Sequence, residues 1–234
     1  MVIPHGVDTT VYRPDAQNRE AARKQLHLGG FVFLTVGAMT GNKGMHGLLR
    51  AFARVAQKHS DTTLILKGAD DLYNSYDMLQ SCLTNMSVHD QHMIANRMIY
   101  FGKTFSMEDM AKLYRLADAY VSPYSAEGFN IPVLEGAASG LPVICTSGGP
   151  TDDFVKDSFA RKIRNKLLPI RQENINGHFL QPDVDHLTDL MVEVIENATW
   201  RRAATVTGPQ HVASNYTWDT VTQLLTDALF GSAR

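Results

Sequence analysis

The chain has 234 residues, of which 44% are hydrophobic and 20% are charged. This composition is typical of a folded globular protein and excludes an intrinsically disordered one. Its 22 lysines and arginines are balanced by 24 aspartates and glutamates, so no net positive field would attract a nucleic-acid backbone, and nucleic acid is not an expected partner. The length fits one α/β domain.

Short apolar runs alternate with helical patterns along the first two thirds of the chain. Each run is the length of a fully buried strand, and together they cover residues 31–36, 63–66, 98–101, 119–122 and 142–146. Helical spacing of apolar residues begins near Met45, Leu72, Met110, Leu187 and Trp218. We take Asp185 and Thr217 as the caps of the last two helices. The alternation predicts an α/β fold with a parallel sheet.

The positions of the two cysteines and the lengths of the apolar segments bear on the cellular compartment of the chain. Cys82 and Cys145 lie in separate segments without a CxxC pattern, and Cys145 falls in an apolar run that we expect to be buried. The sequence has neither an 18-residue apolar span nor a signal-peptide pattern at its start. A soluble chain in the reducing cytoplasm is therefore expected.

The segment from Lys156 to Arg171, KDSFARKIRNKLLPIR, has six basic residues and one acidic residue. One interpretation is a solvated loop with a short helix. The other is a surface that meets anionic lipid or a phosphorylated acceptor, which would place the protein peripherally at the inner face of a membrane.

The loop after the first strand, GAMTGNKG at residues 37 to 44, is rich in glycine. Gly37, Gly41 and Gly44 would let the backbone approach a ligand, and Lys43 could place an ammonium beside a phosphate. The loop is neither a Walker A sequence nor GxGxxG. A glycine-rich turn with a surface lysine is the alternative.

A second unusual stretch, EGFNIPVLE, spans residues 127 to 135. Asn130 is a good helix cap and Pro132 is tolerated in a first turn, so the amides of Gly128, Phe129 and Asn130 and the helix dipole would favour an anion. Glu127 is free to accept hydrogen bonds from hydroxyl groups, and Glu135 can accept from the two hydroxyls of a ribose. The alternative for each glutamate is an ordinary surface or helix residue.

A third loop, TSGGPTDD at residues 146 to 153, closes the same end of the predicted sheet, although its glycines are equally consistent with a turn. In doubly wound sheets, ligands bind beyond the carboxyl ends of the strands. The three loops together predict a pocket for a phosphate flanked by hydroxyl-rich groups, a description that a nucleotide sugar satisfies.

Other candidate sites are weaker. The DVD sequence at residues 183 to 185 precedes a helix and is expected to cap it rather than to bind a metal. His89 and His92 have a spacing that suits a metal but lack a third ligand nearby, and we interpret their stretch as a polar connection. The absence of GxGxxG also argues against interpreting the chain as a nicotinamide-dependent dehydrogenase.

Four segments together resemble the C-terminal domain of family 4 retaining glycosyltransferases, of GT-B architecture. They are IPHGVD at residues 3 to 8, VGAMTGNKGMHGLLRAFARV, LYRLADAYVSPYSAEGFNIPVLEGAASGLPVICTSGGP and YTWDTVTQLL. The resemblance covers nearly the whole chain, and residues 113 to 150 are its most specific part. It implies a Rossmann-like three-layer α/β/α domain, one half of a GT-B fold, spanning residues 1–234, with a core to about residue 200 and C-terminal helices after it that pack toward an N-terminal domain.

The resemblance also implies roles for particular residues. Glu127 matches the first glutamate of the family's E-x7-E motif, beside the donor sugar, and Glu135 matches the second, which binds the ribose. The backbone at 128–130 matches the diphosphate-binding turn, and Lys43 matches the lysine that neutralises the leaving diphosphate. We add Gly37, Gly41 and Thr104 to the expected donor contacts, with base contacts near Thr104 and Phe105.

The sequence departs from the family at Ala38, where an arginine is usual, which puts the charge stabilisation of the diphosphate in doubt. The acceptor-binding domain is also absent from these residues. The expected function is transfer of a hexosyl group from a UDP-, GDP- or ADP-sugar to a hydroxyl acceptor, without a cofactor or a required metal. The alternative is a non-catalytic nucleotide-binding module that needs a partner domain.

Overall fold

The computed structural model describes residues 2–170 and 177–231, which form an α/β domain around a six-stranded parallel sheet. The strand order is β3-β2-β1-β4-β5-β6. The strands are β1 (Phe31–Val36), β2 (Thr62–Lys67), β3 (Met98–Phe101), β4 (Ala119–Ser122), β5 (Val143–Thr146) and β6 (Ala160–Ile163). The predicted α/β fold with a parallel sheet is confirmed.

Helices cover both faces of the sheet. They are α1 (Ala16–Gln25), α2 (Met45–Lys58), α3 (Ser75–Thr84), α4 (Val88–Ile94), α5 (Met107–Leu116), α6 (Ile131–Ala138), α7 (Val184–Glu196), α8 (Ala198–Asn215) and α9 (Trp218–Phe230). One core contains side chains of α5, α6 and α8, and the other contains side chains of α2, α3, α4 and α7. The arrangement is the three-layer α/β/α domain that the family resemblance implies.

The buried strands are mostly apolar because both of their faces are covered. In β1, Val32 and Leu34 enter the first core, whereas Phe33 enters the second. Successive side chains of a strand point to opposite faces, so alternate residues of one strand serve different cores. Burying each such side chain stabilises the fold by about 1.5 to 3 kcal/mol.

The chain reverses direction across the sheet between β1 and β4. From β1 it builds outward through β2 to β3, then returns to place β4 on the other side of β1. In doubly wound sheets, ligands bind at such a switch point, beyond the carboxyl ends of the strands. The loops that contain Lys43 and Glu127 follow β1 and β4 at this point.

The expectation of a loop and short helix between Lys156 and Arg171 is wrong. Most of this segment forms β6 and β7 (Asn165–Pro169), and β7 pairs antiparallel with β8 (His178–Pro182). The sequence does not show an apolar strand pattern here because β6 lies at the edge of the sheet. The residues at its two ends are buried, whereas its two central residues are half-buried cations. Arg171 lies outside the described residues.

Two of the basic residues in β6 are paired within the domain. The Arg161 Nε lies 2.9 Å from a Glu193 carboxylate oxygen, and the Lys162 Nζ lies 3.1 Å from Asp152. Arg161 also stacks its guanidinium on the Trp200 ring, 3.8 Å from the centroid. These two charges are therefore less available to an external anion than the sequence implied.

Several helix expectations also need correction. Asp183, not Asp185, caps α7, because its carboxylate accepts from the backbone N–H groups of Asp185 and His186. His89 and His92 lie in α4 rather than in a polar connection. No pattern predicted α1 and α8, since α1 has no buried residue and α8 contains a proline. Within the described residues, none of the helices combines the length and apolarity needed to cross a membrane.

Gly44 is a position where the fold requires glycine. Its φ is 68°, and a Cβ built there would lie 1.9 Å from the Pro123 carbonyl oxygen. We expect Gly44→Ala to lower the free energy of unfolding by about 1 to 3 kcal/mol in urea denaturation, since the loops would have to separate. Gly41→Ala is the matched control, because a Cβ there has no atom within 4 Å, and an equal loss in both variants would contradict this account.

Candidate functional site

The loop after β1 and the loop after β4 are joined directly. The Ser125 N–H donates to the Asn42 carbonyl at 2.7 Å, and the Asn42 side-chain amide donates to the Ala126 carbonyl at 2.9 Å. These bonds lie next to the Gly44 contact with Pro123. The two loops therefore act as one structural unit at the switch point.

This junction brings Lys43 and Glu127 together. The Lys43 ammonium donates to a Glu127 carboxylate oxygen and forms an ion pair with it. The side chains are only 20% and 11% exposed, so water screens the pair less than it screens a surface ion pair. Two residues predicted for one site from separate motifs are thus in contact, and each neutralises the charge of the other.

The turn of Gly128, Phe129 and Asn130 follows Glu127 and leads into α6. Among the described residues, the backbone N–H groups of these three residues have no hydrogen-bond acceptor. Free amides at the start of a helix, together with its dipole, make a ready anion site. The arrangement suits a phosphate or another small anion.

The expectation that the Asn130 side chain caps α6 is wrong. Asn130 precedes the helix in the left-handed conformation, with φ 74°, and its side-chain amide instead donates to the Ser122 hydroxyl at 2.9 Å. Asparagine tolerates this conformation better than most residues. The side chain therefore fixes the turn to the end of β4 and leaves the helix amides free.

Phe129 lines a groove next to the turn of residues 128–130. Its ring stacks on Phe154 at 4.9 Å between centroids, and the His5 ring meets its edge at 5.0 Å. A cavity of about 590 Å³ opens here, lined also by Gly128 and Tyr216. The opening segment of the chain thus contributes to the surroundings of the anion-binding turn, with His5 in a packing role.

Glu135 lies one turn into α6 and is partly buried. Its Oε2 accepts a hydrogen bond from the Tyr114 hydroxyl at 2.7 Å. Burial raises the pKa of Glu135 above its ordinary value, while hydrogen bonds from the Tyr114 and Tyr12 hydroxyls partly oppose that rise. The Tyr114 hydroxyl therefore engages Oε2 within the protein, and the Tyr12 hydroxyl also acts on the carboxylate.

The remaining predicted residues occupy different places. The Gly37 N–H donates to the Lys67 carbonyl at 3.0 Å, and Gly41 begins a 3-10 turn that ends at Lys43. Thr104 follows β3, two strands from β1, and donates both its N–H and its hydroxyl to Asp71. The structure thus places Gly37 and Gly41 at the Lys43 loop and Thr104 farther along the same edge.

Tyr12 and Tyr114 were not identified from the sequence. Tyr114 fits the apolar stripe of α5, so its pattern predicts only a core residue, and nothing local links it to Glu135, 21 residues away. A second cavity, of about 670 Å³, lies at the opposite end of the strands, lined by Arg19 and Asp118 among others. Because Arg19 is already paired with Asp118, we do not assign that cavity a function.

Comparison with known proteins gives a consistent family. The family model described as "Glycosyl transferases group 1" matches residues 17–203. The chain is 26% identical over 187 residues to a D-inositol 3-phosphate glycosyltransferase of Acidothermus cellulolyticus, covering 77% of this chain and 40% of that protein. It is 24% identical over 237 residues to a GDP-mannose-dependent alpha-(1-6)-phosphatidylinositol monomannoside mannosyltransferase of Mycobacterium tuberculosis, covering 98% and 55%.

Solved structures share the fold. The crystal structure of Anabaena HepE in complex with UDP-glucose superposes with a TM-score of 0.78 at 18% identity, covering 99% of this chain and 57% of that one. Sucrose-phosphate synthase from Thermosynechococcus elongatus gives a TM-score of 0.76 at 20% identity, with 99% and 53% coverage. The chain spans about half the length of the relatives and structures described here.

The Tyr114 hydrogen bond should support the ionised form of Glu135. We expect Tyr114→Phe to lower the free energy of unfolding at pH 8 by about 1.5 to 3 kcal/mol, the usual contribution of a hydrogen bond to a charged group. The loss should shrink as the pH falls through the raised pKa of Glu135, since protonation removes the charge that the hydroxyl stabilises.

Urea denaturation at several pH values measures this effect. Tyr73→Phe is the control, because Tyr73 is exposed and its hydroxyl makes no hydrogen bond with any described residue. A loss that does not depend on pH would show that the Tyr114 hydroxyl does not stabilise the Glu135 charge.

Proposed function

The chain belongs to the glycosyl transferases group 1 family, and we propose that it is the donor-binding domain of a retaining glycosyltransferase. In the complete enzyme it would help transfer a hexosyl group from a nucleoside-diphosphate sugar to a hydroxyl acceptor. The observation that carries this proposal is the contact between Lys43 and Glu127 beside the free amides of residues 128–130, at the switch point of the sheet.

Each part of the site has a proposed role in holding the donor. The amides of residues 128–130 and the Lys43 ammonium bind the diphosphate, which carries the negative charge as the bond to the sugar breaks. The Glu127 carboxylate, once Lys43 turns to the phosphate, accepts hydrogen bonds from the sugar hydroxyls. The oxygen of Glu135 that does not face Tyr114 accepts from the ribose.

The names of related proteins support a nucleotide-sugar donor. One relative is named a GDP-mannose-dependent enzyme, another is named for UDP-Gal, and the HepE structure contains UDP-glucose. The family does not share one base or one sugar. We therefore propose UDP- and GDP-linked hexoses as the first donors to test, with ADP-sugars as a third class and without a required metal.

A second domain is proposed to complete the site. We assign residues 1–234 to a single donor-binding domain, because the described strands and helices share two continuous cores. The last helix, α9, exposes large apolar side chains, of which Trp218, Leu225 and Leu229 lie on one face at helical spacing, with Leu224 and Phe230 to either side of it. An acceptor-binding domain packed on α9 would cover this face.

One position in the structure favours the alternative function, a non-catalytic nucleotide-binding module. Where the family usually has an arginine, Ala38 offers only its backbone carbonyl, which accepts from the Ser75 hydroxyl at 2.6 Å. The position therefore supplies no cation to a diphosphate. Sugar transfer by the chain joined to an acceptor domain, lost in Glu127→Ala, would decide for the enzyme.

The membrane interpretation of the basic segment stays a prediction. Lys166 and Leu167 are both exposed on β7, and as successive residues of a strand they present a cation and an apolar side chain on opposite faces of the hairpin. The cations of β6 are already paired with carboxylates. Any peripheral contact with anionic lipid at the cytoplasmic face of a membrane would then involve the β7–β8 hairpin rather than β6.

Donor binding is tested by thermal unfolding with UDP, GDP, ADP and their hexose conjugates. A ligand at 100 times its dissociation constant should stabilise the chain by about 2.7 kcal/mol. Glu135→Ala should weaken binding of the preferred donor at least about tenfold by calorimetry, since the ribose hydroxyls lose a charged acceptor. Exposed Glu196→Ala is the control. If none of the nucleotides raises the unfolding temperature of the chain, the donor-domain proposal is contradicted.

The ion pair predicts that replacing Lys43 and replacing Glu127 change nucleotide affinity in opposite directions. Glu127→Gln should strengthen binding of UDP, which lacks the sugar, about fivefold, because Lys43 no longer has to leave a carboxylate. Lys43→Met should weaken UDP binding at least about tenfold, because it removes a cation and leaves an unpaired carboxylate beside the phosphates.

Calorimetry with UDP, or with GDP if that is the preferred nucleotide, measures both effects. Lys112→Met serves as the matched control, because it breaks the exposed ion pair of Lys112 with Asp109. Nucleotide affinities that change in the same direction in Glu127→Gln and Lys43→Met would refute the proposed competition.

A further inference from the structure

Lys67, the last residue of β2, is a buried lysine to which neither the sequence patterns nor the proposed function assigns a role. Only 5% of its surface is exposed. Its ammonium donates to the Gly68 carbonyl and lies 5.1 Å from the centroid of the Phe105 ring. Lysine is almost never fully buried unless it is paired, and Lys67 forms no ion pair with a carboxylate in the described part of the chain.

The hydrogen bonding of the Lys67 ammonium is incomplete. An ammonium has three N–H donors, and among the described residues only the Gly68 carbonyl accepts from it. Burial lowers the pKa of Lys67, and the charges of Asp70 and Asp71 oppose that change. A methionine would fill the same space without the cost of burying a charge. The position therefore favours a role in which the ammonium meets an additional acceptor.

Lys67 lies at the same end of the sheet as the candidate donor site. It is in register with Val36, and the Gly37 N–H donates to its carbonyl. Its side chain points to the same face as Ile65, which shares a core with Tyr114, the partner of Glu135. β2 is separated from β4 by β1 alone, so the two strand ends are roughly 10 Å apart.

The loop that contains Phe105 leads into α5, and α5 carries Tyr114, the partner of Glu135, so a nucleotide with its ribose at Glu135 would have this loop on the side of its base. The ring of Phe105, which follows β3, provides an apolar surface there, and the Lys67 ammonium is close to that ring. An apolar surface with one buried charged donor is a typical arrangement for fixing the orientation of a flat ligand. Phe101 packs behind Phe105, with 5.6 Å between ring centroids, and supports it.

We propose that Lys67 is the residue that selects the nucleobase of the donor, by donating to the exocyclic carbonyl oxygen of uracil or guanine. This inference rests on the proposed donor-binding function. Cytosine and adenine carry an amino group at the equivalent position, and an amino group cannot accept a hydrogen bond in the plane of the base. Binding either of them would leave a buried ammonium facing another donor.

The test uses two pairs of nucleotides that differ at this exocyclic group: UDP with CDP, and GDP with ADP. The wild-type 234-residue chain should bind the carbonyl-bearing member of at least one pair about tenfold or more tightly by calorimetry. In Lys67→Met the ratio within that pair should fall toward one. Exposed Lys103→Met, one residue before Thr104, should keep the wild-type ratio.

A second variant guards against a loss of folding in Lys67→Met. The amide of Lys67→Gln both donates and accepts, so this variant should also lower the ratio while keeping a polar group at the site. Thermal unfolding without ligand establishes that each variant is folded. A purely structural lysine would change the melting temperature but leave the ratio of affinities unchanged.

The outcomes separate this inference from the proposed function. A wild-type chain that binds both members of each pair alike, or a folded Lys67 variant that keeps the wild-type ratio, overturns the role of Lys67 and leaves donor binding intact. A wild-type chain that binds none of the four nucleotides overturns the proposed function itself, and the inference with it.

Discussion

The contact between the loops after β1 and β4 determines the geometry of the whole candidate site. Gly44 makes the contact because only glycine fits against the Pro123 carbonyl at a positive φ, and Asn42 secures it with hydrogen bonds to the opposite loop. Neither loop would place a charged group by itself, because each is a short connection at the end of a strand. Joined, they set Lys43 against Glu127 at the switch point of the sheet.

The two glutamates of the E-x7-E stretch show how environment divides the roles of one residue type. Glu127 precedes α6 and faces a cation, whereas Glu135 lies within α6 and faces tyrosine hydroxyls among apolar neighbours. The first carboxylate can exchange one charged partner for another as a ligand enters. The second is held by hydroxyl groups of the protein, which fix the orientation of its carboxylate.

The sequence predicted those parts of the structure that depend on local pattern. Buried strands such as β1 are largely apolar runs, and Lys43, Glu127 and Glu135 stand out as candidates because glycine-rich turns and a cap-like stretch surround them. Residues whose role depends on tertiary contact were missed. Tyr114 is only a core residue in its own helix, and Lys67 is only the polar end of a strand. The edge strand β6 was missed because its charges are satisfied by α7 and by the 146–153 loop.

The ion pair of Lys43 with Glu127 also has a kinetic consequence. Clefts that carry a net charge draw oppositely charged ligands by long-range steering, and their association rates fall steeply as salt is added. Here the cation is cancelled by its neighbour before a ligand arrives, and the chain as a whole has a formal net charge of −2. If the site binds a nucleotide diphosphate as proposed, capture would depend on short-range exchange of partners at this ion pair, and the rate of encounter would be nearly insensitive to ionic strength.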